Sequence, residues 1–295
     1  MRIINPSVEL WEQTDVVNHV ARCARVCYRK ETGNDDKLYR SLLNRKHNSM
    51  FRHATYYFII PSIDVISSVD TDKRLWIAKL NELINDTKQL VVGIDIKLYK
   101  DYYYIVTNGN WNLDHQNLLE YINAYAVTAK EFANANEIAW NMMRYTFKVT
   151  TQISTSRELN RVSPNNISEQ STRYVYEDGT ICRPHWMTKE EADTWNNISD
   201  NTFISEVKHL HYINNAKSSF DRYKLLIENS MPRQDARGVL PLDTATRCVY
   251  TYSADEWRAI IDLRYYGTTG QPHPNAKIIA GMIREELMKL GYDFR

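Results

Sequence analysis

The chain alternates between two hydrophobic periodicities. Residues 14–28 place Val17, Val20, Ala21 and Ala24 at helical spacing behind Thr14 and Asp15, which predicts an amphipathic helix, and a second short helix is expected over 36–46. The aromatic and β-branched run "HATYYFII" (53–60) reads as a strand stopped by Pro61, with His53 at its entrance. Leu75, Ile77, Leu80 and Leu83 share one face of a predicted helix over 72–88, and 90–107 reads as two strands around a turn. Residues 114–144 read as helical, with Leu118, Leu119, Tyr121, Ile122 and Tyr125 on the apolar face.

Beyond this point "RYTFKVTTQIST" (144–155) alternates as a strand should, and Thr155 and Glu158 stand at capping-box spacing for a following helix. Further helices are expected over 202–230, 255–266 and 275–290, and a loop ending at Pro241 returns to a β-like run before Ser253. No repeat or linker divides the chain. The expectation is one mixed α/β (α+β) domain over 1–295.

"SEQSTRY", Ser168 to Tyr174, fits neither periodicity. Almost every position carries a hydrogen-bonding group that burial would leave needing a partner, so it reads as a polar recognition loop rather than a buried strand. A strand and helix immediately before it would hold such a loop still.

Composition narrows the chemistry. At 295 residues the chain buries a core without staples, and a net charge of +1 with no basic run gives no reason to expect nucleic acid as a partner. No stretch approaches the ~20 apolar residues that span a bilayer, and the amino terminus lacks a signal peptide's apolar core, so no membrane is expected and the cytoplasm is the default location. The four cysteines, Cys23, Cys27, Cys182 and Cys248, form no CxxC pair, and no HExxH or Cys/His cluster exists, so no metal site is expected. Cys248 follows Arg247 but reads as a core thiol rather than a nucleophile. There is no GxGxxG, no GxxxxGK[ST] and no GxSxG. Any phosphate must therefore be held by side chains. Arg157, Arg161, Arg173, Arg183, Arg237, Arg247 and Arg264 are the forks available in the second half, and each taken singly reads first as a solvated surface charge or a local ion pair.

These residues also carry a family resemblance. Arg161-Val162-Ser163 is followed by seven residues and then Ser171, the register of the Arg-His-Arg…Ser signature of flavin-dependent thymidylate synthases. "ARVCY" (24–28), "HNSMFRHATYYF" (47–58), "ARGVLP", "EWRAIIDLR" and "HPNAK" fall in the order of that family's further segments. The chain thus resembles the family over most of its length, with a loosely matched insertion at about 62–143. It departs from the signature at Val162 and Ser163, where members carry His and Arg.

The resemblance implies a thymidylate synthase-like fold, a central antiparallel-rich sheet with flanking helices, and reductive methylation of dUMP to dTMP with FAD, methylenetetrahydrofolate and NADPH. It also implies a homotetramer with sites at subunit interfaces. By position, Glu158, Arg161, Glu169, Gln170, Ser171, Thr172, Arg173, Arg237 and Arg264 would meet dUMP, with Arg237 gripping phosphate and Arg264 acting catalytically on the pyrimidine. His53, Thr55, Arg161, Val162, Ser163 and Glu169 would lie near FAD. Ser253, Ala254, Asp255 and Ala259 stand at further flavin positions without an obvious flavin role. Two other readings stay open: a catalytically silent relative that binds a deoxyuridine nucleotide, and a related pyrimidine C5-modifying enzyme.

Overall fold

A computed structural model describes residues 1–62, 93–162, 165–198 and 206–294. The helix expected over 72–88 lies outside the described residues. Ten strands occur among the described residues: β1 (Arg2–Ile4), β2 (Ser7–Trp11), β3 (Thr55–Pro61), β4 (Ile94–Tyr99), β5 (Tyr102–Asn108), β6 (Ala126–Val127), β7 (Arg144–Gln152), β8 (Ile167–Glu169), β9 (Thr180–Cys182) and β10 (Ala245–Ser253). They form an antiparallel central sheet in the order β2-β7-β10-β8, a second antiparallel sheet in the order β4-β5-β3-β6, and a parallel β1-β9 pair.

Strand β10 is the spine of the central sheet. Its side chains alternate between two covered faces, as a period of two requires. Cys248, Tyr250 and Tyr252 enter a core with Phe147, Trp257 and Ile283, while Val249 points the other way onto Trp11, Cys23 and Val26. The helix Val16–Val26 covers that second face, started by Asp15, whose carboxylate accepts from the backbone N–H of Val17 and Asn18. The helices Ala254–Ile261 and Pro274–Lys289 cover the first face. Ser253 turns strand into helix through a capping box with Glu256, a contribution of about 1 kcal/mol.

Two expected helices need correction. The run 114–144 is not one helix: it breaks into Gln116–Ile122, a 3-10 turn at Asn123–Tyr125, strand β6, and the helices Ala129–Ala135 and Glu137–Met142. Thr128 caps one of these with Glu131, and the Asn136 side chain accepts from the Ala139 N–H to start the next, so side chains that compete for backbone donors restart the helix. The β6 residues meanwhile pair with Tyr57 and Phe58. The helix after β7 begins earlier than expected, at Ile153–Leu159, and Thr155 lies inside it, donating to Gln152 Oε1 rather than capping. The long helix is Val207–Glu228, and the first residues of its expected span lie outside the described residues.

The loosely matched stretch supplies β4, β5 and β6 around β3, with a core of Phe58, Ile60, Ile105, Trp111 and Ile122. The β1-β9 pair packs with Trp195, Ile213 and Phe220. No helix among the described residues is long and apolar enough to cross a membrane.

Candidate functional site

The third correction concerns "SEQSTRY". Ser168 and Glu169 end β8, paired with Val249 and Cys248 of β10, and both Ser168 and Gln170 are buried. Burial is tolerated because each polar group is met. Ser168 Oγ donates to the Cys23 carbonyl (2.8 Å). Gln170 Oε1 accepts from Arg247 (3.1 Å), and its Nε2 donates to the Glu177 carboxylate (3.1 and 3.3 Å). Burial raises the pKa of Glu177, and the Gln170 bond works against that rise.

Glu169 points to the opposite face, as alternation demands, where Ser156 Oγ (3.0 Å) and Thr246 Oγ1 (3.1 Å) both donate to its Oε1. After Gln170 the chain turns. Ser171 N–H donates to the Cys27 carbonyl, and the Ser171 carbonyl accepts from Tyr174 and Val175. Ser171 and Thr172 are left half-buried and Arg173 exposed. The sequence thus alternates groups that anchor the turn with groups left available.

A cleft of about 580 Å³ is lined by these groups together, Glu169, Gln170, Ser171 and Thr172, and by Arg157 and Arg237. Leu240 and Pro241 add an apolar wall. Arg237 donates to Thr172 Oγ1 (3.1 Å). Neither Arg157 nor Arg237 makes an ion pair among the described residues. Two forks without an ion pair, beside two hydroxyls, suit a small anion such as a phosphate group. Arg173 reaches over the Tyr174 ring (5.4 Å) and is not among the residues lining the cleft.

A second cluster sits at the far end of the helix Ile153–Leu159. Arg264, on the π-helical turn Asp262–Tyr266, donates through Nε to the Glu158 carbonyl (2.6 Å) and pairs with the Glu158 carboxylate (2.9 Å), which Arg161 also approaches (3.5 Å). Burial, then the charge of Arg161, lowers the pKa of Arg264, and Glu158 opposes the shift. Arg264 remains a fixed cation with a nearly buried side chain.

A third cluster is buried. His53 Nδ1 meets Thr251 Oγ1 (2.8 Å), Thr251 Oγ1 meets Thr146 Oγ1 (2.8 Å), and Thr146 meets His19 Nε2 (3.1 Å), all buried between β7, β10 and the Val16–Val26 helix. Burial pulls His53 down to about 3 and His19 to about 4, with neighbouring positive groups adding to both shifts. Thr55 beside it spends its backbone N–H and C=O on the Gln13 side chain (2.8 Å each). Val162 packs partly buried against the main core, and Ser163 lies outside the described residues. Cys248 is fully buried with its thiol pKa pushed well above the ordinary value, as a core thiol's should be.

The expected site residues therefore fall into three groups. Glu169, Gln170, Ser171 and Thr172 meet Arg237; Glu158 and Arg161 meet Arg264; His53 and Thr55 lie apart near Thr251. Sequence reasoning counted Arg157 without assigning it, although its spacing of four from Ile153 puts both on one helix face. Ser156, Thr246 and Glu177, which hold the loop acid and amide, had no signal of their own because the helix Ile153–Leu159, strand β10 and the chain after the loop bring them in only on folding.

A family model for thymidylate synthase complementing protein matches residues 115–290. Among solved structures, the chain is similar to a UMP/dUMP methylase, PolB, from Streptomyces cacaoi bound with 5-Br dUMP: identity is 16%, coverage 98% of this chain and 93% of that one, and the TM-score 0.44. It is also similar to thymidylate synthase X from Helicobacter pylori with FAD and dUMP, at 14% identity, 52% and 73% coverage and a TM-score of 0.37. No curated protein matches the chain significantly. The matched family segment takes in more than half of the chain, including the loop Glu169–Thr172, Arg237 and Arg264, and the chain belongs to the thymidylate synthase complementing protein family.

Proposed function

We propose that this protein binds dUMP and methylates it at C5 as a flavin-dependent thymidylate synthase, with methylenetetrahydrofolate and NADPH as co-substrates. The observation that carries the reading is the cleft in which Ser171, Thr172, Arg157 and Arg237 gather around one small volume. Arg157 and Arg237 bind the phosphate, Ser171 and Thr172 donate hydroxyls to it, and Glu169, fixed by Ser156 and Thr246, accepts from the sugar or base edge. Arg264 acts on the pyrimidine. A cation already held in place where negative charge develops needs no reorganisation at the moment of reaction, so it favours the anionic ring and a nucleophilic C5 without a covalent thiol. Within one chain Arg264 is held at Glu158, outside the cleft lining, and a homotetramer with sites between subunits would bring a neighbour's Arg264 to each cleft.

Unmet polar atoms near Thr251 favour a flavin at this corner. His53 Nε2, Arg52 Nε and Asn166 Oδ1 are buried there without hydrogen-bond partners, and each such atom costs about 1–3 kcal/mol unless something meets it. His53, Arg52 and Arg161 would hold FAD, which when bound supplies hydride transfer to the one-carbon unit.

A second reading, a silent relative that only binds the nucleotide, is favoured by one observation. Val162 packs against the core where the family signature carries His. Tritium release from the C5 position of labelled dUMP decides between them. Release that requires FAD, NADPH and methylenetetrahydrofolate together supports the synthase; dUMP binding without release establishes the silent relative.

A further inference from the structure

On the opposite face of the central sheet from Glu169 lies a second cleft of about 540 Å³, and its lining is cationic. Arg22, Arg29, Lys30, Lys148 and Arg247 converge on it from the Val16–Val26 helix, the turn after it, β7 and β10. We infer that this cleft binds an oligophosphate chain, either free or as part of a nucleotide. The inference does not rest on the thymidylate synthase reading, since none of these residues lines the other cleft.

Charge bookkeeping supports an anion. Two of the five cations are matched locally, Arg29 by Asp178 (2.8 Å) and Lys148 by Glu9 (2.7 Å). Arg22, Lys30 and Arg247 make no ion pair among the described residues, and the lining supplies only Glu31 against them. Crowding of like charge is visible in Arg247, whose pKa is lowered by burial and then by Arg29.

A solvated surface face would carry mobile side chains, but two forks here are pinned. The Arg22 guanidinium lies over the Trp11 ring at 3.7 Å, and Arg247 is held by Gln170 at 3.1 Å. Pinning reduces the ordering cost of capture. Cations spread around a cleft of this size suit several linked phosphates better than one, because a single group cannot reach opposite walls. Arg247 also ties the two faces together: a ligand that draws on its guanidinium acts on Gln170, and through it on the loop of the other cleft.

Calorimetric titration of the full chain with inorganic tripolyphosphate tests this, using wild-type protein and Arg237→Ala to separate the two clefts. The expected result is a saturable site that persists in Arg237→Ala, weakens with added salt, and loses about tenfold in affinity in either Arg22→Ala or Lys30→Ala. Arg22 and Lys30 are both exposed, so the variants should fold, and Lys30→Ala leaves the Trp11 stack untouched. Repeating the titration with ATP separates the sources: equal affinity assigns a free phosphate chain, tighter binding a nucleotide. Absence of saturable binding in Arg237→Ala overturns the inference. So does binding indifferent to both cleft variants, or tighter binding of triglutamate than of tripolyphosphate.

Discussion

Strand β10 carries a polar cluster at each end. At the Thr246 end, hydroxyls and an amide are spent on anchoring, so Glu169 and Gln170 are fixed while Ser171, Thr172 and Arg237 stay available to a cleft. At the Thr251 end, hydroxyls link two buried histidines with no acidic partner, and the outer ring nitrogen of His53 is left unmet. The difference is one of cover. The first end borders a loop, where a side chain can be supported from behind and wet in front; the second lies under the Val16–Val26 helix and the 3-10 turn Asn48–His53, where every unmet group costs stability.

The largest effect expected from breaking this comparison is at the cation outside both ends. Arg264→Ala should lower turnover by about a hundred- to a thousandfold with a smaller loss of dUMP affinity, because its charge matters most as negative charge develops. Tritium release and equilibrium dUMP binding measured on the same variant check this, and equal losses in both would remove the catalytic role. Arg237→Ala should do the reverse: affinity for dUMP falls about ten- to a hundredfold, the value of a charge-assisted bond, while turnover at saturation changes little.

The buried end predicts a pH dependence. His53 and His19 titrate in the folded state near 3 and 4 against an ordinary 6.5, so the unfolded chain binds protons that the folded chain refuses. Their stabilisation is complete above pH 6.5 and is lost as pH falls through the window down to about 4 and 3. Each histidine should then remove up to about 1.4 kcal/mol per pH unit inside that window. Urea unfolding between pH 6 and 5 checks the slope, and His53→Gln should reduce it; an unchanged slope would mean that His53 is not held neutral. The smallest effect belongs to the open end. Ser156→Ala removes one of two donors to Glu169 and should cost about 0.5–1.5 kcal/mol in unfolding free energy. Loss of dUMP affinity in this variant would show that Glu169 needs both donors to stay in position.

Elements with long, regular periodicity were legible in the chain. The helix over Val16–Val26, the pair β4 and β5, and the helix Pro274–Lys289 follow from spacing and caps that are local. The broken run after 114 was not, because Thr128 and Asn136 are ordinary polar residues until their side chains are seen taking backbone donors. The loop Glu169–Thr172 and the arginines could be picked out by residue type and by family register. Which of them meet could not.

By itself the sequence determined the alternation of β10, the apolar helix faces that cover it, the polar character of Ser168–Tyr174 and the supply of arginines, since each depends on neighbours a few residues away. Only the tertiary structure decided that Ser168 and Gln170 turn inward, that Arg237 rather than Arg264 reaches the cleft within one chain, and that Arg247 faces a second basic cleft. Those outcomes depend on strand register. A shift of one residue in β10 would exchange the faces of Thr246 and Arg247, and register is set by partners distant in the chain, β7 and β8, rather than by local sequence.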